Sequence, residues 1–392
     1  MPWKVDSVVE QRLRFIMEWQ RAEFGLAELC RQHQIARQTG YKWVERFELE
    51  GVDGLRDRSR APQHHPNQVG AATEEHILAV KAKYALWGAR KIGAYLRRKG
   101  SCEATPATST IGGILKSHGL TVARKTRQRA PRRTEPLAHA DGPNRVWCAD
   151  FKGWFLTGDG VRCDPLTITD GHSRYLLRCQ SVEGQDTAHA KPVFEAAFRE
   201  YGLPERMRTD NGAPFGSNGD TGLSGLAVWW IKLGIYPERI RPGKPQENGR
   251  HERMHLTLKQ ATASPPARNR RAQQRRFDRF REEYNQERPH EGLGLAPPAE
   301  FYAPSGRPWP SRLAEPEYAS ELEVRRVDAG GQIRWRGGRV FVSHALKGEP
   351  VGLKPATEGA WEVYYSFYVL GVLEKKRTRL WTPDQWRWRK EG

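Results

Sequence analysis

Two aspartates that each end a run with strand character constrain the fold of this chain more than any other feature. Asp150 follows the apolar run Val146–Ala149, and Asp210 follows Arg206–Thr209. Residues that break a strand come directly after both aspartates. Both runs therefore predict a β-strand that presents a carboxylate at the edge of a sheet.

A third acid, Glu252, lies in the stretch 241–259, which reads RPGKPQENGRHERMHLTLK. The Pro, Gly and Asn residues predict a turn, and the residues after them have the pattern of a helix. Three carboxylates that converge from two strand ends and one helix would form an oxygen-only site suited to Mg²⁺ or Mn²⁺. Such a site performs phosphoryl chemistry.

Four strings indicate a known family: W-x-x-D-F-K-G at 147–153, T-D-N-G at 209–212, P-Q-x-N-G-x-x-E-R at 245–253 and Y-N-x-x-R-P-H at 284–290. In this order they resemble the integrase core of DDE transposases, which bacterial insertion-sequence transposases and retroviral integrases share. The resemblance implies a ribonuclease-H-like core and two Mg²⁺ (or Mn²⁺) ions per active site. It also implies that Asp150, Asp210 and Glu252 are catalytic residues and metal ligands, with Asp150 bridging both ions and each of the others holding one.

The activity implied by the resemblance is that of a Mg-dependent DNA transposase. Such an enzyme cleaves transposon ends and transfers the 3′ hydroxyl into target DNA by in-line phosphoryl transfer. Two alternatives stay open: a nuclease of the same fold that cuts without joining, and a domesticated repressor that binds DNA and no longer cuts. Double-stranded DNA is the expected partner. Because the family holds paired ends together, a homo-oligomer, dimer or tetramer, is expected on DNA.

Asp170 is the first rival for a ligand position, since it also ends a predicted strand. The residues after it read as a hairpin turn, so Asp170 is expected to cap that turn with Ser173 or Arg174 as its partner.

Glu247 is the second rival, because it lies closer to Asp210 than Glu252 does. In the family string the ligand is the acid three residues after the glycine, so Gly249 selects Glu252. The gap between Asp210 and Glu252 is longer than in one large branch of the family, and the loop 216–225 is expected to contain the extra residues.

Length and charge bound the possible functions. The 392 residues predict two to four domains. A formal net charge of +19 favours nucleic acid as the partner, the alternative being a merely soluble basic protein. No apolar stretch is long enough to span a bilayer and no secretory segment begins the chain, so a bacterial, cytoplasmic and nucleoid-associated protein is expected. The five cysteines lack C-x-x-C spacing and are expected to be reduced and structural.

Residues 1–60 are predicted to form an all-α helix-turn-helix domain that binds DNA. The inward face of its third helix is predicted to be Tyr41, Val44 and Phe47. Polar side chains at the start of that helix would reach bases or phosphates: Arg37, Gln38, Thr39 and Lys42. The alternative is a small helical bundle with a solvated polar face.

Residues 70–122 repeat this architecture as a second, winged-type helix-turn-helix domain, with Ser109, Thr110 and Lys116 facing outward. The linker 123–143 that follows is basic and includes Arg124, Lys125 and Arg127. Because like charges repel, it is expected to be loose alone and to follow phosphates on DNA; a plain flexible linker is the alternative.

Residues 144–303 are predicted to form the α/β catalytic core. Three strands followed by alternating helix and strand predict a mixed five-stranded sheet covered by helices, one of them at Thr187–Tyr201. After a Pro-rich linker at 304–310, residues 318–376 are predicted to form a small all-β barrel. It resembles the SH3-like C-terminal domain of integrases, and one of its β runs is predicted over Trp361–Leu373.

Side chains around Glu252 are further candidates for DNA contact. On the predicted helix Lys259 shares a face with Glu252, where the family places a lysine against the DNA end. Four neighbours are candidate phosphate or base contacts: Lys244, Gln246, Asn248 and Arg253. His255 and Asn211 are candidates for orienting the substrate; the alternatives are a passive histidine on the helix surface and an asparagine that only shapes its turn.

Overall fold

The computed structural model describes residues 7–59, 69–101, 104–121, 138–217, 219, 221–240, 249–357, 359–374, 379–383 and 385–386. The chain divides into two compact units, Met1–Gln68 and Val69–Gly392. None of the helices in these ranges combines the length and apolar character needed to cross a membrane. The described cysteines Cys30, Cys148, Cys163 and Cys179 are free thiols, as expected.

The first unit contains three helices packed around a small apolar core: α1 (Val8–Gln20), α2 (Leu26–Gln32) and α3 (Arg37–Glu50). The helices α2 and α3 approach closely at Gly40, where a Cβ would overlap Sγ of Cys30. The predicted inward face of α3 is partly wrong, because Trp43 and Val44 are buried whereas Tyr41 is 63% exposed. The contact at Gly40 sets the rotation of α3 and turns residue 41 outward.

The second unit begins with another three-helix module: α4 (Ala71–Lys83), α5 (Ala89–Lys99) and α6 (Thr108–Ser117). Ile77, Trp87, Ile92 and Ile111 are fully buried in its core. The helix α5 ends at Gly100, which has the left-handed conformation that glycine adopts without strain.

A central sheet follows, made of β1 (Val146–Phe151), β2 (Phe155–Leu156), β3 (Arg162–Asp170), β4 (Leu176–Val182), β5 (Arg206–Thr209) and β6 (Tyr236–Arg239). The strand β1 is antiparallel to β3 and parallel to β5, β4 lies on the far side of β3, and β6 pairs with β5. This confirms the mixed ribonuclease-H-like sheet. The two-residue β2, which pairs with the start of β3, is a sixth strand that the sequence prediction lacked.

Helices cover both faces of this sheet: α7 (Thr187–Tyr201), α8 (Gly225–Lys232), α9 (Gly249–Thr262) and α10 (Arg270–Gln286). The bounds of α7 are those predicted. Phe194 of α7 and Trp230 of α8 belong to the larger apolar core, and Met254 of α9 and Phe277 of α10 to a smaller one. Successive side chains of a strand point to opposite faces, so Leu176 and Leu177 of β4 divide between the two cores.

The C-terminal part is all-β, which confirms the predicted class. Its strands are β7 (Glu323–Arg326), β8 (Gln332–Trp335), β9 (Gly338–Phe341), β10 (Pro350–Thr357), β11 (Ala360–Tyr365), β12 (Tyr368–Glu374) and β13 (Leu380–Trp381). They form a five-stranded sheet, β13-β12-β11-β10-β7, and the hairpin β8-β9. The predicted run Trp361–Leu373 is a hairpin rather than one strand, because the chain turns at Ser366, which has a φ of 53°.

The segment 304–310 packs against the core, so its interpretation as a linker is wrong. The guanidinium of Arg307 donates to the carbonyl oxygens of Pro204 (2.6 Å) and Gly234 (2.8 Å). The ring of Trp309 lies 6.2 Å from that of Phe198 and 6.1 Å from that of Trp229, between centroids. The larger apolar core continues from the central sheet into the C-terminal strands.

Candidate active site

Asp150 and Asp210 lie at the same end of two neighbouring parallel strands. The strands β1 and β5 pair Cys148 with Arg208. Continued by two residues, this register puts Asp150 beside Asp210, with the strands about 4.8 Å apart. Paired residues of parallel strands share a face of the sheet, so the two carboxylates emerge together.

The carboxylate of Asp210 lies in a poorly hydrated place. Burial raises its pKa, and the hydrogen bond that it accepts from the N–H of Gly212 (3.2 Å) only partly opposes this. A carboxylate that has lost hydration gains more than an exposed one from a nearby cation. The position therefore favours a ligand of positive charge.

The carboxylate of Asp150 is 16% exposed and lies next to α9. Its Oδ2 is 3.9 Å from Nδ1 of His255. Its carbonyl oxygen accepts a hydrogen bond from the hydroxyl of Thr167, its register partner on β3 (3.1 Å). Asp150 is thus positioned from both the strand and the helix.

Side-chain hydrogen bonds fasten α9 to β3. The hydroxyl of Thr167 lies 2.6 Å from Nε2 of His251 and 2.7 Å from Nε2 of His255. The hydroxyl of Thr169 lies 3.2 Å from Nδ1 of His251. These contacts fix the rotation of α9, and with it the side of the helix from which Glu252 projects.

Burial keeps both imidazoles neutral at pH 7. It lowers the pKa of His251 to about 3, and it lowers the pKa of His255 as well, an effect that His251 and Lys152 increase. A consistent set of protons has Thr167 donating to the Asp150 carbonyl and each Nε2–H donating to Thr167. Nδ1 of His255 then directs a lone pair toward Oδ2 of Asp150.

The alternative of a passive surface histidine at position 255 is wrong, because His255 is 5% exposed and faces the sheet. Sequence reasoning missed His251, Thr167 and Thr169. A signal for them exists in retrospect: two histidines one helical turn apart face two threonines that alternate along a strand.

Glu252 lies in the first turn of α9 and is exposed. Among the described residues, no group of three or more His, Cys, Asp or Glu lies close enough together to hold a metal ion. The donors present are nevertheless the type that a hard cation prefers, since two carboxylates follow paired positions of neighbouring strands and a third belongs to the helix fastened to the adjacent strand. The residues therefore fit Mg²⁺ or Mn²⁺ in kind.

Of the two rivals, Asp170 serves the fold. It is buried, and its carboxylate accepts hydrogen bonds from the N–H of Asn144 (2.8 Å) and from the N–H (2.7 Å) and hydroxyl (2.6 Å) of Ser173. This confirms the expected turn cap with Ser173. Glu247 lies outside the described residues.

The predicted DNA contacts that the structure describes are mostly accessible. Exposed side chains are those of Arg37, Gln38, Lys42, Ser109, Thr110, Lys116, Arg253 and Lys259, and Thr39 is half-buried. Outside the described residues lie Arg124, Lys125, Arg127, Lys244, Gln246 and Asn248. The amide of Asn211 donates to the carbonyl oxygen of Ile240 (3.0 Å), which fits the turn-shaping alternative.

Family models match most parts of the chain. Two models described as integrase core domain match residues 140–245 and 233–298, the stretch that contains all three acids. A helix-turn-helix domain model matches residues 11–63, and a homeodomain-like domain model matches 39–115. The C-terminal domain of IS481 family transposases matches residues 322–379.

Proteins of bacterial insertion elements are similar to this chain. An uncharacterized 31.7 kDa protein of IS407 from Burkholderia multivorans is 28% identical over 259 residues, 62% of this chain and 84% of that protein. An uncharacterized 39.2 kDa protein of IS476 from Xanthomonas euvesicatoria is 29% identical over 181 residues, 46% of this chain and 50% of that protein. A chain of the simian T-cell lymphotropic virus intasome, solved with a PP2A regulatory subunit, is 16% identical with a TM-score of 0.38, covering 75% of this chain and 94% of its own.

Proposed function

We propose that this chain, a member of the DDE transposase and integrase family, cuts the ends of an insertion sequence and joins each freed 3′ hydroxyl to target DNA. The observation that supports this most is the parallel pairing of β1 with β5, because it brings Asp150 and Asp210 to one end of the sheet. The helix that bears Glu252 is fastened to the adjacent strand β3.

Asp150, Asp210 and Glu252 would together hold the metal ions. Two divalent ions, when bound, supply activation of the attacking oxygen and stabilisation of the leaving oxygen. The raised pKa of Asp210 and the low exposure of Asp150 support this role, since both carboxylates are short of water. Glu252 completes the set from the exposed side, where DNA has access.

His255 orients the attacking group. Its Nδ1 lies 3.9 Å from Oδ2 of Asp150, so an attacking water between them can donate one proton to each acceptor, and an attacking hydroxyl can donate its single proton to either. Because burial lowers the pKa of His255, Nδ1 directs this proton without removing it.

DNA is held by the two helix-turn-helix modules and by the exposed face of α9. Arg253 and Lys259 lie on that face together with Glu252, so the strand end that they bind lies next to the acids. The exposed residues at the starts of α3 and α6 would read the terminal sequence. Since two ends have to be joined to one target, a dimer or tetramer is the active form on DNA.

The test uses the full chain with duplexes that carry the ends of its own element, with Mg²⁺ or Mn²⁺. Asp150→Asn, Asp210→Asn and Glu252→Gln are each expected to lower cleavage and joining by a factor of about a thousand or more, because each removes a charged ligand. Binding of the duplex should be retained. Asp141→Asn, which removes an exposed carboxylate from the chain just before β1, is the control and should remain active.

A second readout separates metal binding from activity. Mn²⁺ should raise the melting temperature of the parent and of Asp141→Asn, and it should raise that of Asp150→Asn much less. Cleavage without joining would favour the nuclease alternative. In-cell transposition that survives both Asp150→Ala and Glu252→Ala would favour the repressor alternative.

A further inference from the structure

The second helix-turn-helix module packs against the catalytic core at the loop that follows α10. The hydroxyl of Tyr84 donates to the carboxylate of Glu287, and Nζ of Lys83 lies 3.4 Å from the same carboxylate. The guanidinium of Arg98 donates to the carbonyl oxygens of Gln286 and Glu287, each at 3.3 Å. Side chains of α4, α5 and the residue that follows α4 therefore hold the module to this loop.

Arg288 and His290, the next polar residues in that loop, are buried, and each has a side-chain polar group without a hydrogen-bond partner among the described residues. Each is only 8% exposed. Within the part of the chain that the structure describes, the Arg288 guanidinium has no ion pair within 4.0 Å and no hydrogen bond, and Nε2 of His290 has no hydrogen-bond partner. A buried guanidinium is costly unless an anion pairs with it. The guanidinium nitrogens of Arg288 keep some contact with solvent, whereas Nε2 of His290 is fully buried without a partner, a group that a bound ion or water can satisfy.

Two further cations interact electrostatically with these side chains, Lys91 with Arg288 and His290, and Arg174 with His290. Lys91, in the first turn of α5, and Arg174, in the turn after β3, are half-buried. The guanidinium of Arg174 lies against Gly292, where a Cβ would force it to move. Burial and the charge of Arg288 lower the pKa of Lys91 to about 8. Arg288 and His290 are thus the buried members of the group, and Lys91 and Arg174 are its half-buried members.

Nearby carboxylates do not balance this positive charge. Glu283 acts electrostatically on Arg288 and Lys91, and Glu291 acts on Lys91. Glu291 is exposed, and the cation within ion-pair distance of it is Arg90, at 3.9 Å. Two carboxylates therefore act on a group of three cations, which leaves an excess of positive charge.

We propose that Lys91, Arg174 and Arg288, with His290 beside them, form a pocket that binds one backbone phosphate of the DNA end. The planar donor fork of Arg288 suits the oxygens of a phosphate. The inference rests on the proposed function, because it takes the DNA end as the ligand. We define these four residues as the cationic seam.

The surroundings favour a DNA phosphate over a free anion. Arg250 and Arg253, exposed in the first turn of α9, act electrostatically on Arg174 and lie on either side of Glu252 in the sequence. A strand whose phosphate occupies the seam can therefore continue past these arginines to the acids. Lys91 belongs to the helix-turn-helix module and Arg288 to the core, so the phosphate links recognition of the end to the site of cleavage.

The test measures the affinity of the full chain, with Asp150→Asn to prevent cleavage, for a series of end duplexes. In each duplex one phosphate is replaced by a neutral methylphosphonate. At one position the replacement is expected to weaken binding by about tenfold, the effect of one charge-assisted contact. Adding Lys91→Gln or Arg174→Gln should weaken binding to the unmodified duplex similarly and abolish the sensitivity at that position.

Arg97→Gln is the matched control, because Arg97 is an exposed cation on the same helix as Lys91. It removes the same charge and should keep the sensitivity at that phosphate. Sensitivity that is unchanged at every position in both seam variants would overturn the proposal. A second outcome would also overturn the proposal. Inorganic phosphate would stabilise the chain in a way that depends on Arg174, while the seam variants would not change the sensitivity to any replaced phosphate of the duplex. The pocket would then bind a free anion.

Failure of the two proposals can be told apart. A chain with an intact Asp150 that neither cuts nor joins, but shows the coupling to one phosphate, would refute transposition and support the pocket. A chain that cuts and joins without any coupling would refute the pocket alone.

Discussion

Two contact regions of the larger unit, which we call seams, differ in charge and in hydrogen bonding. The neutral seam joins β3 to α9 through three hydrogen bonds: Thr167 bonds to His251 and His255, and Thr169 bonds to His251. The cationic seam joins the second helix-turn-helix module to the core and contains the guanidinium of Arg288, which has no ion pair within 4.0 Å and no hydrogen bond among the described residues. A network whose polar groups are all hydrogen-bonded fixes the geometry of a site. An excess of buried positive charge is instead neutralised when an anionic ligand binds.

The largest effect is expected in the neutral seam. Thr167→Val keeps the shape of the side chain but leaves three groups without their partner, namely Nε2 of His251, Nε2 of His255 and the carbonyl of Asp150. The free energy of unfolding should fall by about 3 kcal/mol, measured by chemical denaturation. Joining activity should fall more than tenfold, because α9 is then less well fixed. Thr169→Val is the control and should cost about 1 kcal/mol, and an equal loss in both would contradict the central role of Thr167.

A smaller effect is expected from pH at the cationic seam. Burial lowers the pKa of His290 from 6.5 to about 3, with Lys91, Arg288 and Arg174 acting in the same direction and a hydrogen bond to the backbone of Tyr284 opposing them. The unfolded chain therefore binds a proton that the folded chain does not. This costs stability between pH 6.5 and 3, at about 1.4 kcal/mol per pH unit as the pH falls, and costs nothing above that window.

His290→Gln isolates this contribution from the other buried histidines. Between pH 7 and pH 5, the free energy of unfolding of the variant should fall by about 2 kcal/mol less than that of the parent. Chemical denaturation of both proteins at each pH measures this difference. If the stability of the two proteins changed equally with pH over this range, the pKa of His290 in the folded chain would not be lowered, and the prediction would be wrong.

The smallest change in stability, and the one whose sign matters most, is expected for Arg288→Met. Removing an unpaired buried charge should leave the free energy of unfolding unchanged or raise it by up to about 1 kcal/mol, while affinity for the DNA end falls about tenfold. Arg98→Met, which removes two hydrogen bonds to backbone carbonyls, should destabilise instead. If Arg288→Met destabilised the free protein as strongly as Thr167→Val, Arg288 would be an ordinary structural partner and the contrast between the seams would fail.

Features defined by local pattern were predictable from the sequence. The strand β1, which contains Asp150 near its end, the strand β5, which Asp210 follows, and the helix α7 follow from short-range periodicity. The turn cap by Asp170 follows from the chemistry of Thr169–Arg174. Each of these depends on residues that are close together in the chain.

Features that depend on contacts between distant segments were not predictable. The burial of His255 depends on Thr167, which is on another element, and the rotation of α3 depends on the contact of Gly40 with Cys30. The hairpin at Ser366 was missed because no glycine or asparagine marks the turn. The sequence analysis included Arg288 and His290 only as part of the motif at 284–290 and predicted no role for them. Their burial beside other cations depends on how distant segments pack, which the sequence does not show.

The packed segment at 304–310 has a practical consequence for expression of partial chains. A polypeptide that stops at residue 303 would lack Trp309 and leave the rings of Phe198 and Trp229 uncovered. The strands after residue 322 share one apolar interior with the central sheet, so their removal would uncover more of it. Recombinant fragments that keep the enzymatic half should therefore extend through the last strands, and an affinity tag or flexible insert placed at 304–310 should promote aggregation.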